Sequence, residues 1–409
     1  MTGNQFSWLA TAFFLVFSVS QIPGAYCLAR IPVNVYLGCN MVLCGIAVAC
    51  TAACNNYASI MVVRLILAIG EGSIAPSLSL VTMKWYTRQQ SSKRYGIWYS
   101  GLGVGQIIGG LVSFGFLHVR RGTFGSWRGM FLTLGIINLI VATWIFLCLT
   151  DNPSSAPFLS SSERSYYVQF LTTENKTTIN TYRFRPSQLF SALTQDVALW
   201  LIFLISALCS LPSGAITTFS ATLITGFGYT AEQAALLNIP SGAVSITSSL
   251  LATWFVERNV PRSLAILVLV IPTIIGGALM SFTHSQAASL AGIWLINAIT
   301  PILIVAMSWA QANCAGHTKR VVYNGMIMIA FGIGNICGPQ TYRAKDAPAY
   351  WPAKVTILVA AALSGVSTLA LLAVYLRRNK LRSAAQDNGL ETEALDIPDT
   401  KISGFKYMY

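Results

Sequence analysis

Eleven separate stretches of this chain are apolar over about the length that crosses a bilayer. They run approximately over 6–28, 33–53, 57–82, 95–118, 129–149, 197–219, 234–256, 263–283, 288–312, 323–340 and 354–376. A helix rises about 1.5 Å per residue, so roughly 20 apolar residues span a hydrocarbon core about 30 Å thick. Packed instead as soluble core, these helices would leave too little polar surface. Only 10% of the 409 residues are charged, against about 25% in soluble domains. The expected fold class is an all-α polytopic membrane protein.

The net charge of +13 would suggest nucleic acid in a soluble domain, but its placement argues otherwise. With the Arg30 loop set inside and the spans alternating, nineteen of the 26 Lys and Arg fall inside and six outside, with Arg64 within a span. That is the positive-inside pattern, and anionic lipid suffices as partner. The nine cysteines show neither metal spacing nor a paired framework and read as small packing residues. No basic region precedes the first apolar run, so no cleavable signal peptide is expected. The sequon Asn175-Lys176-Thr177 falls in an inside loop and should be unused.

The spans divide the chain. Residues 1–150 form a five-span bundle and 151–196 a polar cytoplasmic loop. Residues 197–376 form a six-span bundle, and 377–409 a polar tail expected to be disordered. A long basic loop between two helix groups suggests a duplicated architecture around a central path. Five spans against six implies that one N-terminal helix of the first half is missing from this sequence.

Chemistry concentrates in the run Arg64-Leu-Ile-Leu-Ala-Ile-Gly-Glu71-Gly72-Ser-Ile-Ala-Pro76. Arg64 and Glu71 lie seven residues apart, hence on one helix face and about 10 Å apart along the axis. They are the charges in the interior of the apolar runs, where each costs on the order of 2.5–3.5 kcal/mol on insertion scales. Such groups belong beside a wet cavity. Arg64 is the candidate anchor for an anionic substrate group and Glu71 the proton-coupling carboxylate. The alternative is a charge network that only holds helices. Gly70 and Gly72 allow close approach, and Pro76 frees the Gly72 carbonyl and favours a kink.

Gly101, Gly105 and Gly109 recur every four residues and predict a smooth face for packing or gating at a helix crossing. Gln106 is a candidate substrate contact beside them, and Asn324 another in the second half. Ser213, Asn238, Asn297, Gln311, Asn313, Asn335 and Gln340 read as interhelical hydrogen-bond partners. Pro212, Pro240, Pro272, Pro301 and Pro339 are expected to interrupt their helices. The chain has no Gly-Lys pair, so no phosphate-binding loop of an ATP-driven pump. His118, His284 and His317 are scattered. No catalytic cluster, cofactor or metal is expected, and the chain is not read as an enzyme.

Several stretches carry a family resemblance: Asn4-Gln5-Phe6-Ser7-Trp8, Arg64 through Pro76, and Trp85-Tyr86-Thr87-Arg88-Gln89-Gln90 with Arg94. Others are Ala315-Gly316-His317-Thr318-Lys319-Arg320, Gly338-Pro339-Gln340-Thr341-Tyr342-Arg343, and Asp346-Ala347-Pro348-Ala349-Tyr350. On these the chain resembles the major facilitator superfamily, and within it the fungal allantoate permease group of anion:cation symporters. The resemblance implies twelve helices in two six-helix bundles, alternating access, proton symport, and small carboxylates, vitamins or nitrogen- and sulfur-containing metabolites as substrates. Ala68 departs from the family's usual glycine, and the loop Ala29–Asn34 is a degenerate form of its signature.

The expected function is a secondary active transporter of a small organic anion, with protons and lipid as its other partners. It is expected to be monomeric and to reside in the plasma membrane, with the vacuolar membrane as the alternative. Two other readings stay open: an exporter of a secondary metabolite, and a truncated, non-transporting or sensor protein.

Overall fold

In lipid each backbone N–H and C=O must be satisfied within its own segment, which makes helices of the apolar runs. The computed structural model describes residues 4–28, 30–118, 125–175, 186–283, 285–314, 317–347, 350–385 and 407–409. Among these residues, eleven helical spans are long and apolar enough to cross a membrane.

The first bundle holds five spans. They are α1 (Gln5–Leu28), α2 (Val33–Thr51), α3 with α4 (Tyr57–Glu71 and Ile74–Trp85), α5 (Arg88–Leu117) and α6 (Ser126–Cys148). Polar caps start several of them. Asn56 and Ser59 form a reciprocal capping box on α3, as do Thr87 and Gln90 on α5. Small residues set the contacts. A Cβ at Gly135 of α6 would lie 2.6 Å from the Ala49 nitrogen of α2, and one at Gly38 would strike the Phe146 ring.

The stretch 151–196 is more than a loop. It carries α7 (Ser161–Asn175) and α8 (Pro186–Gln195). Tyr167 of α7 donates to the Trp85 carbonyl at 2.8 Å, which docks α7 beneath the first bundle. Residues 176–185 lie outside the described residues, and with them most of the sequon.

The second bundle holds six spans. They are α9 (Val197–Gly226), α10 with α11 (Ala231–Leu237 and Ile239–Glu257), α12 (Arg262–Phe282), α13 with α14 (Gln286–Ile296 and Ile302–Asn313), α15 (His317–Gln340) and α16 (Trp351–Ala385). Its core falls into two clusters, one around Ile202, Ile266, Trp309, Tyr323 and Tyr375 and one around Ile216, Phe219, Ile293 and Ile357. Helices cross at glycine: a Cβ at Gly338 of α15 would lie 2.5 Å from the Leu211 carbonyl of α9. Gly276 and Gly292 pair likewise between α12 and α13.

Two expectations change here. Helix breaks occur at Asn238 before Pro240 and at 297–301 before α14, but α9, α12 and α15 run unbroken through Pro212, Pro272 and Pro339. Close packing by neighbouring helices lets a membrane helix absorb a missing donor. The tail is also not disordered throughout. α16 continues to Ala385, and Tyr407 is buried against the second bundle; 386–406 lie outside the described residues.

Candidate functional site

The two bundles meet along two seams. α5 runs antiparallel to the span formed by α10 and α11, with Gly96 against Thr253 and Gly103 against Gly242 of α11 and Gly110 against the Ala235 carbonyl of α10. Polar contacts mark both ends: an ion pair of Lys93 with Glu257 at 2.8 Å, and His118 within 3.9 Å of Glu232. Lys93 marks the face that also carries Arg30, Lys84 and Arg378, called here the basic face.

α1 and α15 touch along half their length only. Ser7 Oγ donates to the Tyr342 carbonyl at 3.2 Å, and Gln340 Nε2 to Thr11 Oγ1 at 2.7 Å. Deeper in, Phe14 and Phe17 meet Phe331, and Ser18 closes on Gly332. Towards the basic face, Val19, Ile22 and Tyr26 are exposed, and a Cβ at Gly325 would meet nothing within 4 Å. This seam is therefore shut on the face opposite the basic one and parted towards the basic face. An aromatic stack seals the shut end. Phe219 and Tyr342 lie face to face at 4.5 Å, Tyr350 leans on both, and Phe6 of the first bundle meets Phe219 edge-on at 5.2 Å.

Polar groups converge at mid-depth. Gln106 Nε2 of α5 donates to Asn297 Oδ1 at 3.3 Å, and Asn297 donates to the Ile293 carbonyl at 2.9 Å. Gln106 Oε1 is enclosed with no partner. Tyr99 of α5 donates to the Thr300 carbonyl at 3.2 Å, within the break between α13 and α14. The broken segment frees carbonyls that a continuous helix would use itself. A small cavity here is lined by Tyr99, Ser210, Ser213, Thr300 and Phe331, and so draws on both bundles.

Arg64 and Glu71 both sit on α3. The helix breaks at Gly72–Ser73, directly after Glu71 and at the carbonyl that Pro76 leaves free. Gly70 packs on Cys44 of α2, and Gly72 on Ser20 and the Phe17 carbonyl of α1. Tyr36 and Ser73 hydrogen-bond at 3.0 Å across the break. The Arg64 guanidinium lies 5.9 Å from the Phe131 ring of α6, and its Nε is enclosed without a partner. Among the described residues the two charges do not meet within ion-pair distance. The axial offset of a seven-residue spacing keeps them apart, so direct exchange between the two is not what the geometry offers.

Gln106 and Arg64 belong to the first bundle, and Asn324 lies on α15 with its Oδ1 enclosed and unpartnered. The glycine stripe behaves differently from the expectation: Gly101, Gly105 and Gly109 meet nothing within 4 Å among the described residues. Packing in α5 runs instead through Gly96, Gly103 and Gly110, spaced by seven on another face. A four-residue repeat defines a face but not what lies opposite it.

Several residues in the site went unassigned in the sequence. Phe6 and Phe219 of the aromatic seal and Tyr99 of the cavity are apolar-run residues like many others, and Tyr350 lies between two runs. Asp196, at the head of α9, collects Lys319 at 2.7 Å, Arg378 at 2.8 Å and the Tyr323 hydroxyl at 2.7 Å. Burial raises its carboxyl, but these donors outweigh that and hold it at about 2. The signal available was an acidic residue placed just before an apolar run, which is also an ordinary helix cap.

The sequence profile of the Major Facilitator Superfamily matches residues 1–339. The Thiamine pathway transporter THI73 of Saccharomyces cerevisiae is 33% identical, over 100% of this chain and 79% of that protein. The Allantoate permease of the same yeast is 30% identical, over 100% and 78%. Among solved structures, a bacterial homolog to the human lysosomal transporter Spinster, inward-facing and occupied, superposes with a TM-score of 0.65. It is 15% identical and covers 92% of this chain and 90% of its own. The xylose transporter XylE from E. coli, in a partially occluded inward open form, gives 0.64 at 13% identity, covering 88% and 86%.

Proposed function

The chain belongs to the major facilitator superfamily and is a multi-pass secondary transporter, and we propose that it imports a small organic anion together with protons. The observation that carries this reading is Arg64: a cation within a span whose Nε is enclosed and without a hydrogen-bond partner. A guanidinium with an enclosed, unsatisfied N–H at bilayer depth is costly, and a substrate carboxylate could engage it in fork geometry. Glu71, two helical turns nearer the basic face and beside the α3 break, is the proton carrier in this reading. Gln106 and Asn324, each with an enclosed unpartnered oxygen, supply neutral contacts to the substrate. The basic face is cytoplasmic by the positive-inside pattern, so the parted seam opens inward. The plasma membrane is its proposed site.

The cycle separates the two charges. Arg64 takes the carboxylate from the outer side, Glu71 takes a proton, and the bundles rock so that α1 and α15 part at one end and close at the other. Relatives named for thiamine-pathway and allantoate transport make small carboxylates, ureides and thiamine-related compounds the first panel to test. Purified protein in liposomes with an inward proton gradient should accumulate one of these compounds several-fold. Arg64→Gln should abolish saturable uptake. Glu71→Gln should leave substrate exchange intact while removing gradient-driven accumulation. If both variants still concentrate substrate, this mechanism is wrong.

A further inference from the structure

A side-chain amide presents the same donor and acceptor as a peptide bond, so an asparagine can read another chain's backbone. Two asparagines on the basic face of the second bundle do this side by side. Asn379 of α16 donates to the Tyr407 carbonyl at 2.9 Å and accepts from the Tyr407 N–H at 2.9 Å. Asn313, the last residue of α14, donates to the Met408 carbonyl at 2.9 Å and accepts from the Met408 N–H at 2.6 Å. Trp309 Nε1 adds a second donor to the Met408 carbonyl at 3.0 Å. The first N–H of α12, on Arg262, reaches the main-chain oxygen of Tyr409 at 2.5 Å. Every backbone polar group of Tyr407 and Met408 is thus matched by a side chain of the bundle.

Side chains are sorted as well. Tyr407 is 2% exposed, stacked on Tyr375 at 5.3 Å with Arg378 5.6 Å over its ring. Met408 is 50% exposed and points away. The Tyr409 hydroxyl accepts from Asn379 at 2.7 Å. Backbone pairing for affinity with pockets for alternate side chains is how extended peptides are recognised.

The first bundle has the same groove, filled differently. There Trp85 Nε1 donates to the Thr150 carbonyl at 3.2 Å, and the first N–H of α2, on Val33, donates to Asp151 at 2.9 Å. Lys84 completes it with an ion pair to Asp151 at 2.8 Å. Trp85 and Trp309 play one role, as do the starts of α2 and α12. Yet Thr150 and Asp151 follow directly on α6 and cannot leave. α16 instead runs on as helix past the groove, which is occupied by residues from beyond position 406. A cavity of about 370 Å³, lined by Asn259, Pro261 and Arg262, adjoins Met408 and Tyr409.

We propose that Tyr407–Tyr409 is a displaceable peptide ligand of the second bundle, held in a groove of α12, α14 and α16 that recognises the same motif added in trans. Occupancy clasps the basic ends of the three helices together. It also reaches the ion network, since Arg378 lies over Tyr407 and pairs with Asp196.

The test uses the full chain with a protease site inserted between residues 395 and 396. After cutting in detergent–lipid micelles, the C-terminal fragment should co-migrate with the membrane domain on gel filtration. Excess synthetic peptide of sequence 401–409 should release it. The same peptide with Tyr407→Ala should need at least tenfold more. The proposal is overturned if the fragment separates on cutting, if excess native peptide fails to release it, or if both peptides compete equally.

Discussion

The two bundles are built to one plan but packed to different depths. Only 6% of the most apolar stretch of α5 is buried, against 61% of the span 286–313 in the second bundle. Apolar surface that faces lipid costs nothing in hydrocarbon, so low burial alone decides little. One part of α5 is different in kind: the face carrying Gly101, Gly105 and Gly109 is open, with Ile97, Leu102 and Ile108 exposed around it. Glycine there offers a ready seat for a further apolar helix. In the second bundle one glycine, Gly325 of α15, is open in the same way. That bundle invests its polar groups at the basic face, where one buried carboxylate organises α9, α15 and α16. The lesson is that two halves with matching helix crossings can still tie their ends differently.

The strongest way to break that contrast is to remove the acid from each half. Asp196→Asn removes the carboxylate that Lys319 and Arg378 share, and Lys319 is only 6% exposed. The expected loss is about 3–5 kcal/mol of unfolding free energy in detergent. Asp151→Asn breaks a pair whose side chains are 29% and 21% exposed, and should cost about 1 kcal/mol. Acid should show the same ordering. The Asp196 carboxyl is depressed from 3.8 to about 2, so its contribution is complete above its unfolded value and is lost as pH falls toward about 2. Equal losses in the two variants would show that the halves are tied alike.

A smaller effect separates the two faces of α5. A Cβ at Gly103 would lie 2.5 Å from the Gly242 carbonyl and 2.7 Å from Ile246, in the seam between bundles. Gly103→Val should cost about 1–3 kcal/mol by overpacking, with transport falling alongside. Gly105→Val meets open space and should stay within about 0.5 kcal/mol. Thermal unfolding of the two purified variants decides it. A loss at Gly105 as large as at Gly103 would mean that this face is occupied in the membrane.

That pair also shows what the sequence could and could not give. Spans were legible because length and apolarity are local properties; the expected start at residue 197 is the observed start of α9. The break at Gly72–Ser73 was legible from Pro76, since a missing donor acts within one turn. The glycine face was misassigned because periodicity carries no information about the partner. The aromatic seal was illegible for a stronger reason. Ser7 and Tyr342 are hydrogen-bonded across 335 positions, and nothing near either residue announces the other. The same holds for Asn313 and Met408, 95 positions apart.

The smallest effect tests the seal itself. Phe6 is the ring that the first bundle contributes to the stack, while Phe219, Tyr342 and Tyr350 all belong to the second. An edge-to-face pair is worth about 0.5–1.5 kcal/mol beyond its buried area. Phe6→Ala should therefore shift the balance between shut and open seal by roughly two- to tenfold, because that energy is present in one state and absent in the other. Tyr350→Ala removes a ring that stays with the second bundle in both states. It should lower stability without moving the balance. The readout is the rate at which a cysteine replacing Thr11, in a chain cleared of its exposed native cysteines, reacts with an impermeant thiol reagent. A faster reaction in Phe6→Ala but not in Tyr350→Ala places the seal at the aromatic contact that Phe6 makes across the bundles. Equal rates in the two variants would move the seal away from Phe6, to the hydrogen bonds of Ser7 and Gln340 on the same seam.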